Sequence, residues 1–274
     1  MTLFQAIVYA AVLSASTILP ISSEAHGILI SHLANWPAPE GSTLGAIQLG
    51  SLLALFLFFI HDWASLISSL LQVVLLRKKP MTLDERLPFF LILTSMPLIV
   101  ALQLGAAHYL DPRLSEPFWV AILLGAFAIL LTVPESMGRK TKSMFDWTIA
   151  EAIIMGFAQL LALIPGAGRM LGILAMSQFR NFNREAVLKY SLLAGLPILT
   201  YSVTGLLREH GTGGSDWVSI LNFGATSGVS LGVSLLTLAA FQRSFLRTGI
   251  RGQLLYRVLA GGVLAIWIWS RGIH

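Results

Sequence analysis

The chain has 274 residues, of which 55% are hydrophobic and only 11% charged, and it contains no cysteine. A soluble domain carries about 25% charged residues, so the composition excludes an ordinary soluble fold and predicts an integral membrane protein with several spans. The lack of cysteine excludes disulfides and thiolate chemistry. The net charge of +5 is modest and lies in short loops, which indicates membrane topology and no nucleic-acid binding.

Six apolar runs are long enough to cross a bilayer, since a span needs about 17–25 residues. They cover residues 44–60, 87–107, 118–133, 186–207, 217–239 and 253–269. A shorter stretch, residues 63–76, carries Ser65, Ser68 and Ser69. This stretch indicates a helix that lies at the membrane interface.

Two further apolar runs, residues 4–33 and 149–179, are broken near the middle by Pro20 and Pro165. A broken run at membrane depth is tolerated only where it is buried in protein or lines a cavity, so each predicts a re-entrant helical hairpin. Gly-Ile-Leu follows seven residues after each proline, at residues 27–29 and 172–174. This match suggests an internal repeat.

The basic loops fix the orientation of the spans. They are residues 77–79, 139–142, 180–189 and 243–251. If these loops face the cytoplasm, the spans alternate without conflict and the hairpins enter from opposite sides. We therefore predict an all-α fold with six transmembrane helices plus two re-entrant hairpins in a 3+3 inverted-topology repeat. It is a single domain, residues 1–274, with halves of about 1–135 and 145–274.

The half-helix after each proline should point its N-terminus into the membrane interior, where free N–H groups and the helix dipole favour an anion. Two such ends that face each other would suit a diphosphate. Their candidate residues are Ser22, Ser23, Glu24 and His26 on the first hairpin, and Gly166, Gly168 and Arg169 on the second.

Arg169 is the strongest single candidate. An arginine inside a long apolar run is expensive and usually functional, and its planar guanidinium suits bidentate contact with a phosphate. The alternative is a structural ion pair, because alignment of the two prolines places Glu24 at the repeat position equivalent to Arg169. We favour phosphate binding.

Several polar residues each have two interpretations. Ser22 and His26 share a helix face, so the histidine could activate the serine or protonate a leaving group. Alternatively, Ser22 or Ser23 only caps the half-helix. Gln48 could line the cavity or bond a neighbouring helix. Arg257 could reach the site or extend to the cytoplasmic interface, and we favour the interface.

Five segments carry a family resemblance: Leu19-Pro20-Ile21-Ser22-Ser23 with His26; Ile47-Gln48-Leu49-Gly50-Ser51-Leu52-Leu53-Ala54; Ala158-Gln159 through Pro165-Gly166 and Arg169; Tyr190-Ser191-Leu192-Leu193 with Pro197; and Tyr256-Arg257. On these segments the chain resembles the undecaprenyl-diphosphate phosphatases of bacterial inner membranes, also called bacitracin-resistance proteins. The family removes one phosphate from a polyprenyl diphosphate and so recycles the lipid carrier of cell-wall synthesis.

The resemblance implies a hydrolase of the bacterial inner membrane. It implies that Arg169 clamps phosphate, and that a divalent cation such as Mg²⁺ or Ca²⁺ assists. It also implies that Ser22, Ser23 and His26 line the active site. Together with the candidates from the residues themselves, the predicted catalytic residues are Ser22, Ser23, Glu24, His26 and Arg169, and the predicted substrate-binding residues are Arg169, Ser22, Gly166, Gly168 and Gln48. The expected partners are the polyprenyl diphosphate lipid and the membrane, with a homodimer as a further option.

This chain departs from the family pattern at its most chemical positions. Two acidic or amide residues of the first motif are replaced by Leu13 and Thr17, and the serine before the arginine is replaced by Gly168. The Ser-Gly after the arginine is Met170-Leu171. Glu24 stands where the family usually has threonine and could supply a replacement carboxylate. The alternative function is therefore a catalytically lapsed member that binds or translocates polyprenyl phosphate, or a purely structural partner.

Overall fold

The computed structural model describes residues 1–137 and 139–271, without the side chains of residues 134, 135 and 137. This part of the chain is helical and contains no β-strand. The helices are α1 Leu3–Ile18, α2 Ser23–Ala34, α3 Gly41–Phe58, α4 Ile60–Leu75, α5 Leu83–Gln103, α6 Pro117–Met137, α7 Ile149–Ala158, α8 Arg169–Phe179, α9 Arg184–Leu193, α10 Gly195–His210, α11 Trp217–Thr248 and α12 Arg251–Ser270.

Both predicted breaks are present. The chain leaves α1 after Ile18, turns through Pro20, and re-enters a helix at Ser23. In the second hairpin, α7 continues as a 3₁₀ helix, Gln159–Leu163, before the turn that leads into α8 at Arg169. Proline ends a helix because it lacks a backbone N–H and clashes with the preceding turn, which accounts for both positions.

Five helical segments of the described chain are long and apolar enough to cross a membrane: Gly41–Phe58, Leu83–Gln103, Arg184–His210, Trp217–Thr248 and Arg251–Ser270. The third of these consists of α9 and α10 in succession. The five segments coincide with five of the six predicted runs. The sixth run falls in α6, whose apolar part, Pro117–Val133, is shorter. The stretch predicted at the interface forms α4, in which Leu66 and Val73 are buried and Leu71 and Leu75 are exposed.

Small residues hold α3 against α11. Ser51 Oγ lies 3.2 Å from Ser230 Oγ, Ser234 donates to Ser51 Oγ at 3.1 Å, and Ser230 donates to the carbonyl of Ile47 at 2.6 Å. Gly50 sits against the backbone of Ser227, where a side chain would clash. Close approach through glycine and serine is the usual way in which helices pack in a membrane.

A second helix pair, α6 with α12, packs in the same close manner: a Cβ on Gly261 would lie 2.5 Å from the carbonyl oxygen of Ala121. Both α2 and α8 contact α6. The tips of the two hairpins therefore meet next to α6 in the interior of the protein.

Candidate active site

The tips of the two hairpins touch each other. A Cβ on Gly168 would lie 3.2 Å from Ser22 Cα and 3.5 Å from Ser22 Cβ. Three residues at the contact have positive φ, namely Ser22 at 66°, Gly166 at 91° and Gly168 at 81°. Glycine adopts this conformation freely, whereas it is strained for serine. Strain at Ser22 is thus stored at the point where α2 and α8 begin side by side.

An inner cavity of about 200 Å³ lies against this contact. Both hairpins and α3 contribute polar residues to its lining, and α5 and α10 contribute mainly apolar ones. The polar residues include Ser22, Ser23, Glu24, Gln48, Gly168 and Arg169, and the apolar residues include Leu98, Leu102, Ile198 and Leu199. Such a cavity suits a charged head group that carries a hydrocarbon chain.

Arg169 places an uncompensated cation in the inner cavity. Both terminal nitrogens of its guanidinium are buried and make no hydrogen bond. The group lies against Gly195, where a Cβ would be 2.5 Å from Nη1 and 2.6 Å from Nη2. Glu24 lines the same cavity but forms no ion pair with Arg169, so the structural-pair alternative is wrong. A buried charge without a partner is costly, and an anionic ligand would remove that cost.

The two serines differ in their contacts. Ser22 Oγ accepts the N–H of Ala25 at 3.4 Å, so it caps α2 as one of the sequence alternatives proposed. Ser23 lines the inner cavity, and its hydroxyl makes no hydrogen bond to any residue that the structure describes. Ser23 therefore offers the freer hydroxyl to a ligand.

His26 is turned away from the cavity. Its Nδ1 donates to the backbone carbonyl of Ser22 at 2.8 Å, and not to the serine hydroxyl. Because a carbonyl only accepts, the neutral ring leaves Nε2 to accept from the hydroxyl of Tyr256, 2.8 Å away. The two rings stack with centroids 5.8 Å apart. His26 does not line the cavity, and the structure shows no hydrogen bond between its ring and the Ser22 hydroxyl.

A larger outer cavity of about 870 Å³ adjoins the inner one. Thr17, Ser23, Glu24 and Gln48 line both cavities and so form the passage between them. Leu13 lines the outer cavity only. Leu13 and Thr17, which replace the acidic or amide residues of the family pattern, therefore both line the outer cavity. Glu24 is the only carboxylate among the residues that line the two cavities.

The described residues include no group of three or more histidine, aspartate or glutamate side chains that could hold a metal ion. One buried oxygen of a residue that lines both cavities, as Glu24 does, nevertheless lacks a partner: Gln48 Oε1. Magnesium is commonly held by one or two carboxylates together with water and substrate phosphates. Glu24 and Gln48 fit a cation of this kind.

Arg257 is the residue that sequence reasoning misjudged. Its side chain is fully buried, with 0% exposure, so the preference for the cytoplasmic interface was wrong. The guanidinium donates to four backbone carbonyls: Leu124 at 3.1 Å, Pro20 at 2.7 Å, Ala167 at 3.2 Å and Gly166. The available signal was an arginine inside an apolar run, as at Arg169.

Comparison with known proteins agrees with the family resemblance noted in the sequence. The sequence profile of the family described as "Bacitracin resistance protein BacA" matches residues 6–263. The chain is 34% identical over 264 residues to an undecaprenyl-diphosphatase of Geobacter sulfurreducens, which covers 93% of this chain and 94% of the relative. It is 32% identical over 272 residues to an undecaprenyl-diphosphatase of Geotalea daltonii, with 98% and 99% coverage. The similarity therefore extends well beyond the five segments noted in the sequence.

Proposed function

Because the chain belongs to the bacitracin resistance protein BacA family, we propose that it is a membrane-bound phosphatase that hydrolyses undecaprenyl diphosphate to undecaprenyl phosphate and inorganic phosphate. The product is the lipid carrier that cell-wall synthesis reuses. One observation carries the assignment. The unpartnered guanidinium of Arg169 lines a cavity with Ser23 and Glu24 from the other hairpin.

The reaction needs charge stabilisation at the terminal phosphate. Arg169 would bind the phosphate oxygens, and the free N–H groups at the start of α8 would face the same charge. Donors that are fixed in place before the reaction stabilise the transition state more than the ground state. The contact of Gly168 with Ser22 keeps the start of α8 next to the start of α2, so both hairpins can act on one phosphoryl group.

Ser23 is the proposed nucleophile. Its oxygen attacks the terminal phosphorus, the bond from that phosphorus to the bridging oxygen breaks, and undecaprenyl phosphate leaves. Glu24 accepts the hydroxyl proton. Water then attacks the phosphorus of the phosphoserine and the bond from that phosphorus to the Ser23 oxygen breaks. Glu24 returns its proton to this oxygen, which restores the serine and the carboxylate as inorganic phosphate leaves. Ser22 caps α2 beside the phosphate, and Gly166 and Gly168 allow the close turn. His26 has a positioning role through Tyr256.

A divalent cation, Mg²⁺ or Ca²⁺, completes the proposed site. The Glu24 carboxylate and the amide oxygen of Gln48 would hold it, together with oxygens of the substrate. When bound, the ion neutralises part of the negative charge of the diphosphate. This arrangement would compensate for the missing acidic or amide residues at Leu13 and Thr17.

The proposed topology has six transmembrane helices plus two re-entrant hairpins in a 3+3 inverted repeat, with halves of about 1–135 and 145–274; residues 272–274 lie outside the described residues. The packing supports it: α1 of the first half contacts α11 of the second half, and its repeat equivalent α7 of the second half contacts α5 of the first. The chain has no cysteine, so single cysteines in loops 108–116 and 139–142 can be tested for labelling from each side. Labelling of both loops from one side would overturn the arrangement.

We place the protein in the bacterial inner membrane, where the substrate is recycled, and retain the homodimer as a proposal. The mass of the detergent-solubilised complex tests the dimer. Fractionation of inner and outer membranes tests the location.

The activity itself is tested by release of phosphate from farnesyl and undecaprenyl diphosphate by purified protein, with Mg²⁺ or Ca²⁺ present. Arg169→Ala should reduce the rate by about 10³-fold or more, as expected for loss of a transition-state contact. Arg251→Ala, an exposed arginine on α12, is the matched control. If the wild-type protein releases no phosphate with any divalent cation, the proposal fails.

A further inference from the structure

Arg257 joins three separate parts of the chain. Its Nη1 donates to Pro20 in the first hairpin tip and to Ala167 in the second, and its Nη2 donates to Gly166 in the second tip. Its Nε donates to Leu124 of α6. One side chain from α12 therefore binds both tips and the helix on which they rest.

This arrangement requires arginine. The guanidinium presents five donors in a fixed planar fork, whereas lysine presents a single ammonium. The four acceptors are backbone carbonyls on three segments, and no carboxylate among the described side chains pairs with the guanidinium. Carbonyl dipoles compensate a buried cation only while they stay oriented towards it. The charge of Arg257 thus penalises any separation of the tips.

The preceding residue reinforces this connection. Tyr256 bonds His26 through its hydroxyl, and His26 in turn bonds the carbonyl of Ser22. The dipeptide Tyr256-Arg257 therefore contacts the first hairpin on both sides of Ser22. Arg257 lines neither the inner nor the outer cavity, so it can act on a ligand only through the residues that it holds.

We propose that Arg257 is a positioning residue that fixes the separation of the two hairpin tips and so keeps Arg169 opposite Ser23. Its effect on turnover rests on the proposed phosphatase function. Its effect on the tips does not, and the two can be measured separately.

The separation of the tips can be measured by cross-linking. A Cβ on Gly168 lies 3.5 Å from Ser22 Cβ, and disulfides have Cβ atoms about 3.5–4.5 Å apart. Because the chain has no cysteine, the double variant Ser22→Cys/Gly168→Cys gives an unambiguous signal. The readout is the fraction of purified protein that resists labelling by a polyethylene-glycol maleimide after mild oxidation.

The double-cysteine chain should cross-link readily, and adding Arg257→Gln should slow the reaction by about tenfold or more, because reaction within a held pair depends steeply on alignment. Adding Arg251→Gln, on the same helix but exposed, should leave the rate unchanged. An equal rate with and without Arg257 would overturn the proposal, and so would failure to cross-link with Arg257 present.

Turnover gives the second readout, in the chain without added cysteines. Arg257→Gln should lower kcat by about 10²-fold, the scale expected for a displacement of about 1 Å. The KM should change far less, because Arg169 is still present to bind the phosphate. Arg257→Lys should recover part of the loss. A fall in activity that only follows the amount of folded protein, judged by Tm and gel filtration, would contradict a positioning role. If the wild type does not turn over, the phosphatase assignment fails while the cross-linking result still decides the role of Arg257.

Discussion

The guanidinium of Arg169 lies against Gly195, at the start of α10, with only 2.5 Å between Nη1 and the position of a Cβ on the glycine. Gly195 thus leaves the space that the phosphate-binding group occupies. The obstacle to a side chain at this position is the end of a flexible arginine, and not backbone. A substitution there would move the guanidinium without disturbing the helices.

Gly195→Ala should therefore separate activity from stability. We expect kcat/KM for farnesyl diphosphate to fall by about 10²-fold, because the displaced guanidinium no longer meets the phosphate. The Tm should not fall, since alanine favours a helix by about 0.5–1 kcal/mol over glycine. Gly205→Ala, on the same helix with no atom within 4 Å of the added Cβ, is the control. Unchanged kcat/KM in Gly195→Ala would argue against the observed position of Arg169.

Gly168→Ser restores the residue that the family carries before the arginine, yet we expect it to harm this protein. Gly168 has φ of 81°, a region in which a residue with a side chain is disfavoured by about 1–2 kcal/mol. The new Cβ would also lie 3.2 Å from Ser22 Cα. Thermal unfolding should show a lower Tm, and phosphate release should not rise. The control is Gly232→Ser, where a Cβ meets no atom. A gain in activity at normal stability would show that the hairpins can readily move apart.

The two adjacent serines should give different defects. Ser23→Ala removes the proposed nucleophile, so kcat should fall by about 10³-fold or more, with the Tm unchanged. Ser22→Ala removes the cap of α2 and should lower stability by about 1 kcal/mol, with a smaller loss of kcat. Phosphate release and thermal unfolding, measured on both variants, decide the matter. The reverse pattern would assign the chemistry to Ser22.

Glu24→Gln tests whether this chain has replaced its missing acids. The amide keeps the size of the side chain but can neither accept a proton nor bind a cation strongly. We expect kcat to fall by about 10²–10⁴-fold, the range for loss of an acid–base group. Glu209→Gln, an exposed carboxylate on α10, is the control.

Removal of metal provides a parallel test of the same residue. A chelator should abolish phosphate release by the wild type, and Mg²⁺ or Ca²⁺ should restore it. Glu24→Gln should need a higher cation concentration for its residual rate. If the chelator has no effect on the wild type, the proposed cation site is refuted while the role of Glu24 as base remains open to the pH profile.

The positions of the hairpin breaks and of the buried charge at Arg169 could be predicted from the sequence, because proline and a charge inside an apolar run show directly in the residue order. The sequence could not decide the contacts of Arg257 or His26. Both depend on which carbonyl or hydroxyl another segment brings nearby, and Arg257 contacts Pro20 across more than two hundred positions. Gly195 gave no signal at all, since its role is only the space it leaves for Arg169.

The hydrogen bond between His26 and Tyr256 allows a test of whether His26 positions Ser22 or transfers a proton. If His26 only positions Ser22, then His26→Gln and Tyr256→Phe should each lower kcat by roughly tenfold, and the double variant should be little worse than either single one. The pH dependence of kcat/KM should keep its shape in all three. If instead His26 transfers a proton, His26→Gln alone should cost about 10²–10⁴-fold and remove one limb of the pH profile, while Tyr256→Phe should have a much smaller effect. Steady-state kinetics across pH, on the three variants and wild type, distinguish these outcomes.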